Sequence, residues 1–230
     1  GINDATDMVE YTNHQGGTYW SDLRKEYGHE EPYGIKVWYL GNEADGPWQI
    51  GSWEKDPHGY GVTAREVSKA IKWIDPAIET VACASSAPYL SSYPQWDLEV
   101  LQECYELVDY ISLHHYHQAP EGDLGALLGG NAMFEEYIKT EIAICDYVQT
   151  KLRTKKQMML SFDEFASTMQ PVGEIHYGRR GNLPPVSYKE FSMDPGFVHH
   201  DPDDWSTRPV RNRGAEILRS EERRVGKECA

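Results

Sequence analysis

Apolar positions along most of the chain fall into two alternating periods. Residues 35–40, Ile-Lys-Val-Trp-Tyr-Leu, form a short β-rich run stopped by Gly41-Asn42, and a helical pattern over about 62–74 follows until Asp75-Pro76 breaks it. Residues 79–83 read as a second strand. Past a loop over 88–94, the segment 96–107 carries Trp96, Leu98, Val100, Leu101, Cys104 and Leu107 at helical spacing. Residues 108–114 read as a third strand. A helical stretch over about 131–152 then leads to 157–162, Gln-Met-Met-Leu-Ser-Phe, whose nearly continuous apolar character fits a strand buried on both faces. Strand and helix alternating in this way predict an α/β fold, a parallel sheet with flanking helices. Residues 6–13 and 19–27 predict two further helical pieces upstream. Residues 165–218 hold Gly, Pro, His and Asp without a sustained period, which predicts a long loop with little regular structure. A closed eight-stranded barrel needs about 200 to 250 residues or more. Four strands between 35 and 162 therefore make either a smaller open sheet or a piece of a barrel.

Composition narrows the classes. The 230 residues carry 22 Lys and Arg against 37 Asp and Glu, a formal charge of −15, which excludes a simple nucleic-acid-binding domain because no basic footprint for phosphates exists. A hydrophobic fraction of 40% suffices for a sizeable core and argues against intrinsic disorder, so a soluble globular protein is expected. The 7 Trp and 15 Tyr supply amphipathic rings that can line a cleft for a polar ligand as well as fill a core. No apolar run approaches the roughly 18 residues of a membrane-spanning helix, so no membrane partner is expected. Gly1 opens the chain without an initiator Met or a charged leader, and the ends read as cut. Residues 219–229, Arg-Ser-Glu-Glu-Arg-Arg-Val-Gly-Lys-Glu-Cys, resemble the in-frame translation of a common sequencing-library adapter, so 219–230 reads as an artefactual tail. Without it three cysteines remain, Cys83, Cys104 and Cys145, with no CxxC pair and no even count; they are expected to be reduced and buried.

Parallel β/α folds place chemistry at the carboxyl ends of strands. The first strand ends in Asn42-Glu43-Ala44-Asp45, the third in His114-His115-Tyr116-His117 and the fourth in Asp163-Glu164-Phe165, whereas Ala84-Ser85-Ser86, following strand two, is chemically quiet. Glu43 and Glu164 thus occupy two strand ends and would face each other in a barrel. Two carboxyls across a cleft are the equipment of glycoside hydrolysis: one protonates the leaving oxygen, the other attacks the anomeric carbon or activates water. The pair must differ in proton affinity, the acid favoured by desolvation and by its charged partner, the nucleophile kept ionised by donors such as Tyr116 or His114. A rival reading takes His115 and His117, on one face of the strand end, as a zinc pair in a metal-dependent barrel hydrolase, with His199, His200 and Asp201 recruited as further ligands. No Gly-x-Ser-x-Gly elbow supports Ser85 or Ser86 as a nucleophile, Cys104 lies at an apolar helical position, and no Gly-rich phosphate loop occurs.

The run Trp38-Tyr39-Leu40-Gly41-Asn42-Glu43-Ala44-Asp45-Gly46-Pro47-Trp48-Gln49 resembles the acid/base segment of glycoside hydrolase family 51, the α-L-arabinofuranosidases. The resemblance continues through Tyr11-Thr12-Asn13, Ile111-Ser112-Leu113-His114-His115-Tyr116 and Ser161-Phe162-Asp163-Glu164, in the family's order, over about residues 3–165. It implies a partial (β/α)8 TIM barrel, about strands four to seven, with strands one to three, strand eight and a β-sandwich outside the chain. Residues 1–165 would be the catalytic barrel fragment and 166–218 an irregular loop region of the barrel. It also implies that Glu43 is the general acid/base and Glu164 the nucleophile, that Asn42 bonds the sugar 2-hydroxyl, that Tyr116 holds the nucleophile ionised, that His114 lines the pocket and that Trp48 forms an aromatic wall. The reaction implied is double displacement with retention, without metal or cofactor, on arabinose-containing oligosaccharides or polysaccharides. Family members commonly follow the nucleophile with D-E-W-N-V-W; Phe165-Ala166-Ser167-Thr168 here reduces those aromatics to one, which bears on sugar specificity and keeps an endo-acting β-glucanase or xylanase reading open. Members of the family are often intracellular oligomers, and a cytoplasmic, homo-oligomeric parent protein follows by analogy alone. An open half-barrel leaves strand edges and an apolar face uncovered, so the 230 residues alone are expected to be inactive and poorly folded.

Overall fold

The structure, a computed structural model, describes residues 1–170. The expected tail at 219–230, the zinc candidates His199, His200 and Asp201, and most of the expected loop region lie outside the described residues. Two helices, α1 (Ile2–Asn13) and α2 (Tyr19–Glu26), precede four strands that alternate with three helices: β1 (Val37–Tyr39), α3 (Pro57–Ile74), β2 (Glu79–Cys83), α4 (Gln95–Cys104), β3 (Tyr110–Pro120), α5 (Leu124–Leu152) and β4 (Met159–Gln170). The strands form one sheet in the order β1-β2-β3-β4. Val37 pairs with Glu79 and Val81 with Tyr110, both in parallel ladders. Spatial order that follows chain order, with no switch point, is the winding of a barrel and not of a doubly wound open sheet. The architecture is a partial (β/α)8 barrel.

Local chemistry moves several boundaries away from those expected. β1 is short because the Asn13 side chain takes both backbone groups of Ile35, accepting its N–H at 3.0 Å and donating to its carbonyl at 2.7 Å. α3 starts at Pro57, ahead of its apolar pattern, where Asp56 accepts the Gly59 N–H at 2.9 Å and proline suits the first turn. Val108 lies ahead of β3, in the turn that follows α4, its N–H donating to the Cys104 carbonyl at 3.1 Å. α5 begins at Leu124, where Asp123 accepts the Ala126 N–H at 2.8 Å, although Gly129-Gly130 weakens the helical signal there. The largest correction concerns 165–170: β4 runs through these residues to Gln170, where the absence of a period predicted a loop.

The chain divides into two units. The first comprises Gly1–His114 and Thr140–Asp163. In it Val9 of α1 packs with Ile71 of α3 and Ile78, flanked by Trp38 and Leu40, so α1 covers the first β/α unit. α3 and α4 approach closely at Gly61, where a Cβ would stand 2.8 Å from the Val100 carbonyl oxygen. Arg24 of α2, fully buried, donates to the carbonyls of Tyr11, His14, His29 and Glu30 and so ties the end of α1 to the segment leading into β1. Tyr60 of α3 accepts the Cys83 N–H at 2.7 Å and donates to the Leu40 carbonyl at 3.3 Å, tethering the carboxyl ends of β1 and β2. Cys83, Cys104 and Cys145 are free and buried. Burial pushes the Cys104 thiol up to about 12, which rules out a thiolate nucleophile there.

The second unit comprises His115–Lys139 and the residues from Glu164 onward. Its described core is Ala119 with Phe134, Tyr137 and Ile138 of α5. The His115 ring packs on Phe134 with centroids 4.8 Å apart, and Gly130 leaves room for the His117 ring. Among the described residues no helix is long and apolar enough to cross a membrane.

Candidate active site

Glu43 stands just past the end of β1. Gly41 makes the exit at φ +145°, and a Cβ there would press on the Cys83 Sγ at 3.3 Å. Glu43 itself takes φ +46°, the left-handed region, a conformation that costs a non-glycine residue on the order of 1–3 kcal/mol and persists only where the surroundings enforce it. Three contacts do so. The Gly46 N–H closes a turn onto the Glu43 carbonyl at 2.8 Å, and the Trp53 N–H reaches the Ala44 carbonyl at 2.8 Å. Asp45, without solvent exposure, accepts the Ser86 N–H at 3.1 and 3.0 Å, together with the Ser86 hydroxyl. Burial raises the Asp45 carboxyl above its ordinary range, against the opposing pull of the Ser86 hydrogen bonds.

The loop after β2 is itself clamped from α4, where Asp97 accepts the Ser85 N–H and, at 2.8 Å, the Ser85 hydroxyl. The segment without evident chemistry in the sequence is thus what holds the Glu43 loop in place. Asp45 and Asp97 escaped sequence reasoning because their partners are 41 and 12 residues away.

The Glu43 carboxyl is held at both oxygens. Oε2 accepts the Trp48 indole N–H at 2.5 Å and the Gln49 amide at 3.2 Å. Oε1 lies 3.2 Å from His114 Nδ1. Gly46 is what lets the Trp48 ring fold back this far, since a Cβ would sit 2.6 Å from the ring. Trp48, expected as an aromatic wall, is 54% exposed while its N–H serves Glu43. Asn42 is exposed beside Glu43.

His114, 3% exposed, continues the chain of contacts: its Nε2 is 3.3 Å from Ser112 Oγ and 3.6 Å from Asp163 Oδ1. The Ser112 hydroxyl lies 2.9 Å from both Asp163 oxygens. Ser112 and Asp163 were not singled out from the sequence; the available signal was strand alternation, which puts Ser112 on the face of His114.

In the second unit Tyr116, 43% exposed, donates its hydroxyl to Glu164 Oε2 at 2.8 Å. His115 and His117 share a strand face as the sequence implied, with parallel rings 6.4 Å apart. His117 Nε2 is 2.9 Å from the Ala126 carbonyl oxygen, and burial followed by the neighbouring His117 lowers His115 to about 4. Neither belongs to a group of three or more metal-ligating side chains among the described residues.

Residues 1–140 match the family model described as the alpha-L-arabinofuranosidase 1 domain. The intracellular exo-alpha-(1->5)-L-arabinofuranosidase 1 of Bacillus subtilis is 49% identical over 165 residues, 72% of this chain and 33% of that protein. An intracellular exo-alpha-(1->5)-L-arabinofuranosidase of Acetivibrio thermocellus is 48% identical over 72% of this chain and 32% of its own length. Among solved structures, a family 51 alpha-L-arabinofuranosidase from Bifidobacterium longum aligns with TM-score 0.67 and 34% identity over 74% of this chain and 33% of its own. The alpha-L-arabinofuranosidase of Thermotoga maritima aligns with TM-score 0.63 and 31% identity, over 74% of this chain and 32% of its own. The chain spans about a third of the length of the relatives it matches. On the family model and on these identities, the chain belongs to the α-L-arabinofuranosidases of glycoside hydrolase family 51.

Proposed function

We propose that the protein carrying this chain is a retaining, exo-acting α-L-arabinofuranosidase that releases terminal arabinofuranosyl groups from plant-type oligosaccharides or polysaccharides, and that residues 1–165 are part of its catalytic barrel. The observation that carries the reading is the Glu43 carboxyl, presented at a strand end on a strained residue and gripped by Trp48, Gln49 and His114. A carboxyl fixed so closely suits proton delivery in one direction. The exo names of the relatives favour the exo reading over an endo-acting glucanase or xylanase.

In the proposed cycle Glu43 protonates the glycosidic oxygen as the Glu164 carboxylate attacks the anomeric carbon, so the C–O bond to the aglycone breaks and a covalent arabinosyl ester forms. Glu43, now a carboxylate, takes a proton from water, whose oxygen displaces Glu164 and restores both groups. Tyr116 aims Glu164 through its hydroxyl. Asn42 bonds the sugar 2-hydroxyl, and His114 and Trp48 border the sugar. No metal takes part.

The test uses the complete protein that carries this sequence. Glu43→Ala should lower turnover most on substrates with poor leaving groups, by roughly 10²- to 10⁴-fold, and azide should rescue it by displacing Glu164 from the ester, with formation of α-L-arabinofuranosyl azide. Glu164→Ala should abolish turnover, and a chelator should leave the wild type unaffected. A Glu43→Ala enzyme without leaving-group dependence or azide rescue, or an active Glu164→Ala enzyme, would overturn the assignment; loss of activity with chelator would favour the metal-dependent rival.

A further inference from the structure

We infer that Ser112 and Asp163 are positioning residues that, through His114, set where the proton of Glu43 resides; this rests on the reading of Glu43 as the general acid/base. The Ser112 hydroxyl has one hydrogen to give and two lone pairs to offer. An ionised Asp163 can only accept, and both of its oxygens stand 2.9 Å from Ser112 Oγ, so the hydroxyl hydrogen goes to Asp163. Ser112 Oγ therefore meets His114 Nε2, 3.3 Å away, as an acceptor. That requires a hydrogen on Nε2, and Asp163 Oδ1 at 3.6 Å reinforces the same choice.

A neutral imidazole protonated at Nε2 has a bare Nδ1, which can only accept. His114 Nδ1 faces Glu43 Oε1 at 3.2 Å, so that contact is a hydrogen bond when Oε1 carries the hydrogen. The other oxygen agrees. Oε2 already receives two N–H donors, from Trp48 and Gln49, and is left as the carbonyl-like oxygen of a carboxylic acid. With His114 neutral, the chain Asp163–Ser112–His114 thus places the hydrogen of the Glu43 acid on Oε1. That hydrogen is the one the first half-reaction delivers to the glycosidic oxygen and the second recovers from water.

Asp163→Asn reverses the polarity of the chain. Its amide can donate to Ser112, the Ser112 hydroxyl then turns to donate to Nε2, and the imidazole hydrogen moves to Nδ1, where it favours the Glu43 carboxylate. In the complete protein, kcat/KM of Asp163→Asn should fall about tenfold or more on arabinofuranosides with poor leaving groups, stay within about twofold on an aryl glycoside with a strongly acidic phenol, and show its alkaline limb at lower pH. Ser112→Ala should show the same split between substrates, and Ser112→Thr, which keeps the hydroxyl, should restore the wild-type pattern.

The imidazole nitrogen-15 shifts of His114 give a readout independent of activity. They should report hydrogen on Nε2 and a bare Nδ1 in the wild type, and the reverse in Asp163→Asn. Hydrogen on Nδ1 in the wild type, or equal losses on both substrate classes with an unmoved pH profile, would overturn the inference. A wild type that hydrolyses no arabinofuranoside but shows the Nε2 tautomer would remove the glycosidase reading and leave the polarity of the chain standing.

Discussion

Glu43 combines a backbone conformation that favours glycine with a carboxyl that needs three neighbours in place. The two properties are connected, since the left-handed turn at 43–46 brings Trp48 and Gln49 back over the side chain they hold. Gly46 is the residue on which this depends, because any Cβ there would collide with the Trp48 ring at 2.6 Å. Gly46→Ala should leave the fold intact, since the collision is with a ring whose remainder is exposed to solvent. It should displace the indole and lower kcat/KM on poor-leaving-group arabinofuranosides by about tenfold, equivalent to roughly 1.4 kcal/mol of transition-state stabilisation. Steady-state kinetics of the complete variant measure this, and wild-type kinetics would show that the Trp48 hydrogen bond contributes nothing to Glu43. The motif around Glu43 was legible in the sequence as a run of residue types. Its strain and the purpose of Gly46 were not, because both arise from a fold-back that side-chain patterning does not encode.

Among the elements, strands and helices were legible where one apolar face is buried, and their ends were not. Asp56 and Asp123 start α3 and α5 by capping, ahead of the first periodic apolar residue, and the stretch 165–170 extends β4 without any alternation to announce it. The polar clamps between elements were hidden for a different reason: Asp45 with Ser86, and Asp97 with Ser85, join groups distant in sequence that only the parallel sheet brings together.

One clamp makes a prediction about pH. Asp97 of α4 and Glu141 of α5 are both fully buried and face one another; burial is the main cause that lifts Asp97 to about 7 and Glu141 well above its ordinary range, with the charge of Asp45 adding to the first and that of Asp97 to the second. In the unfolded chain an aspartyl carboxyl ionises near 4. A folded state that keeps its proton up to about pH 7 is therefore most favoured below the unfolded value, and its stability declines as pH rises from roughly 4 through 7. Thermal melts across that range should show a falling melting temperature, and Asp97→Asn, whose amide oxygen can still accept the Ser85 N–H, should flatten the slope. A slope unchanged in Asp97→Asn would show that the pair does not titrate with folding.

At the scale of the molecule, four parallel strands in chain order carry the candidate groups: Glu43 just after β1, His114 and Tyr116 in the middle of β3, and Asp163 and Glu164 in the middle of β4, since both strands run on past the ends expected from the sequence. β/α alternation alone left an open sheet and a barrel equally admissible. The sequential strand order and the family 51 relatives resolve that choice in favour of the barrel. The histidine run was ambiguous for a physical reason, since successive strand residues point to opposite faces and serve different ends: His114 reaches Glu43, while His115 and His117 pack beside α5. The central claim, that the complete protein is a retaining α-L-arabinofuranosidase, is tested most directly by proton NMR of the first sugar released from an α-L-arabinofuranoside. The account predicts α-L-arabinofuranose as the initial product, before mutarotation. Initial release of the β-anomer would contradict double displacement through Glu164, and no release of arabinose at all would contradict the function itself.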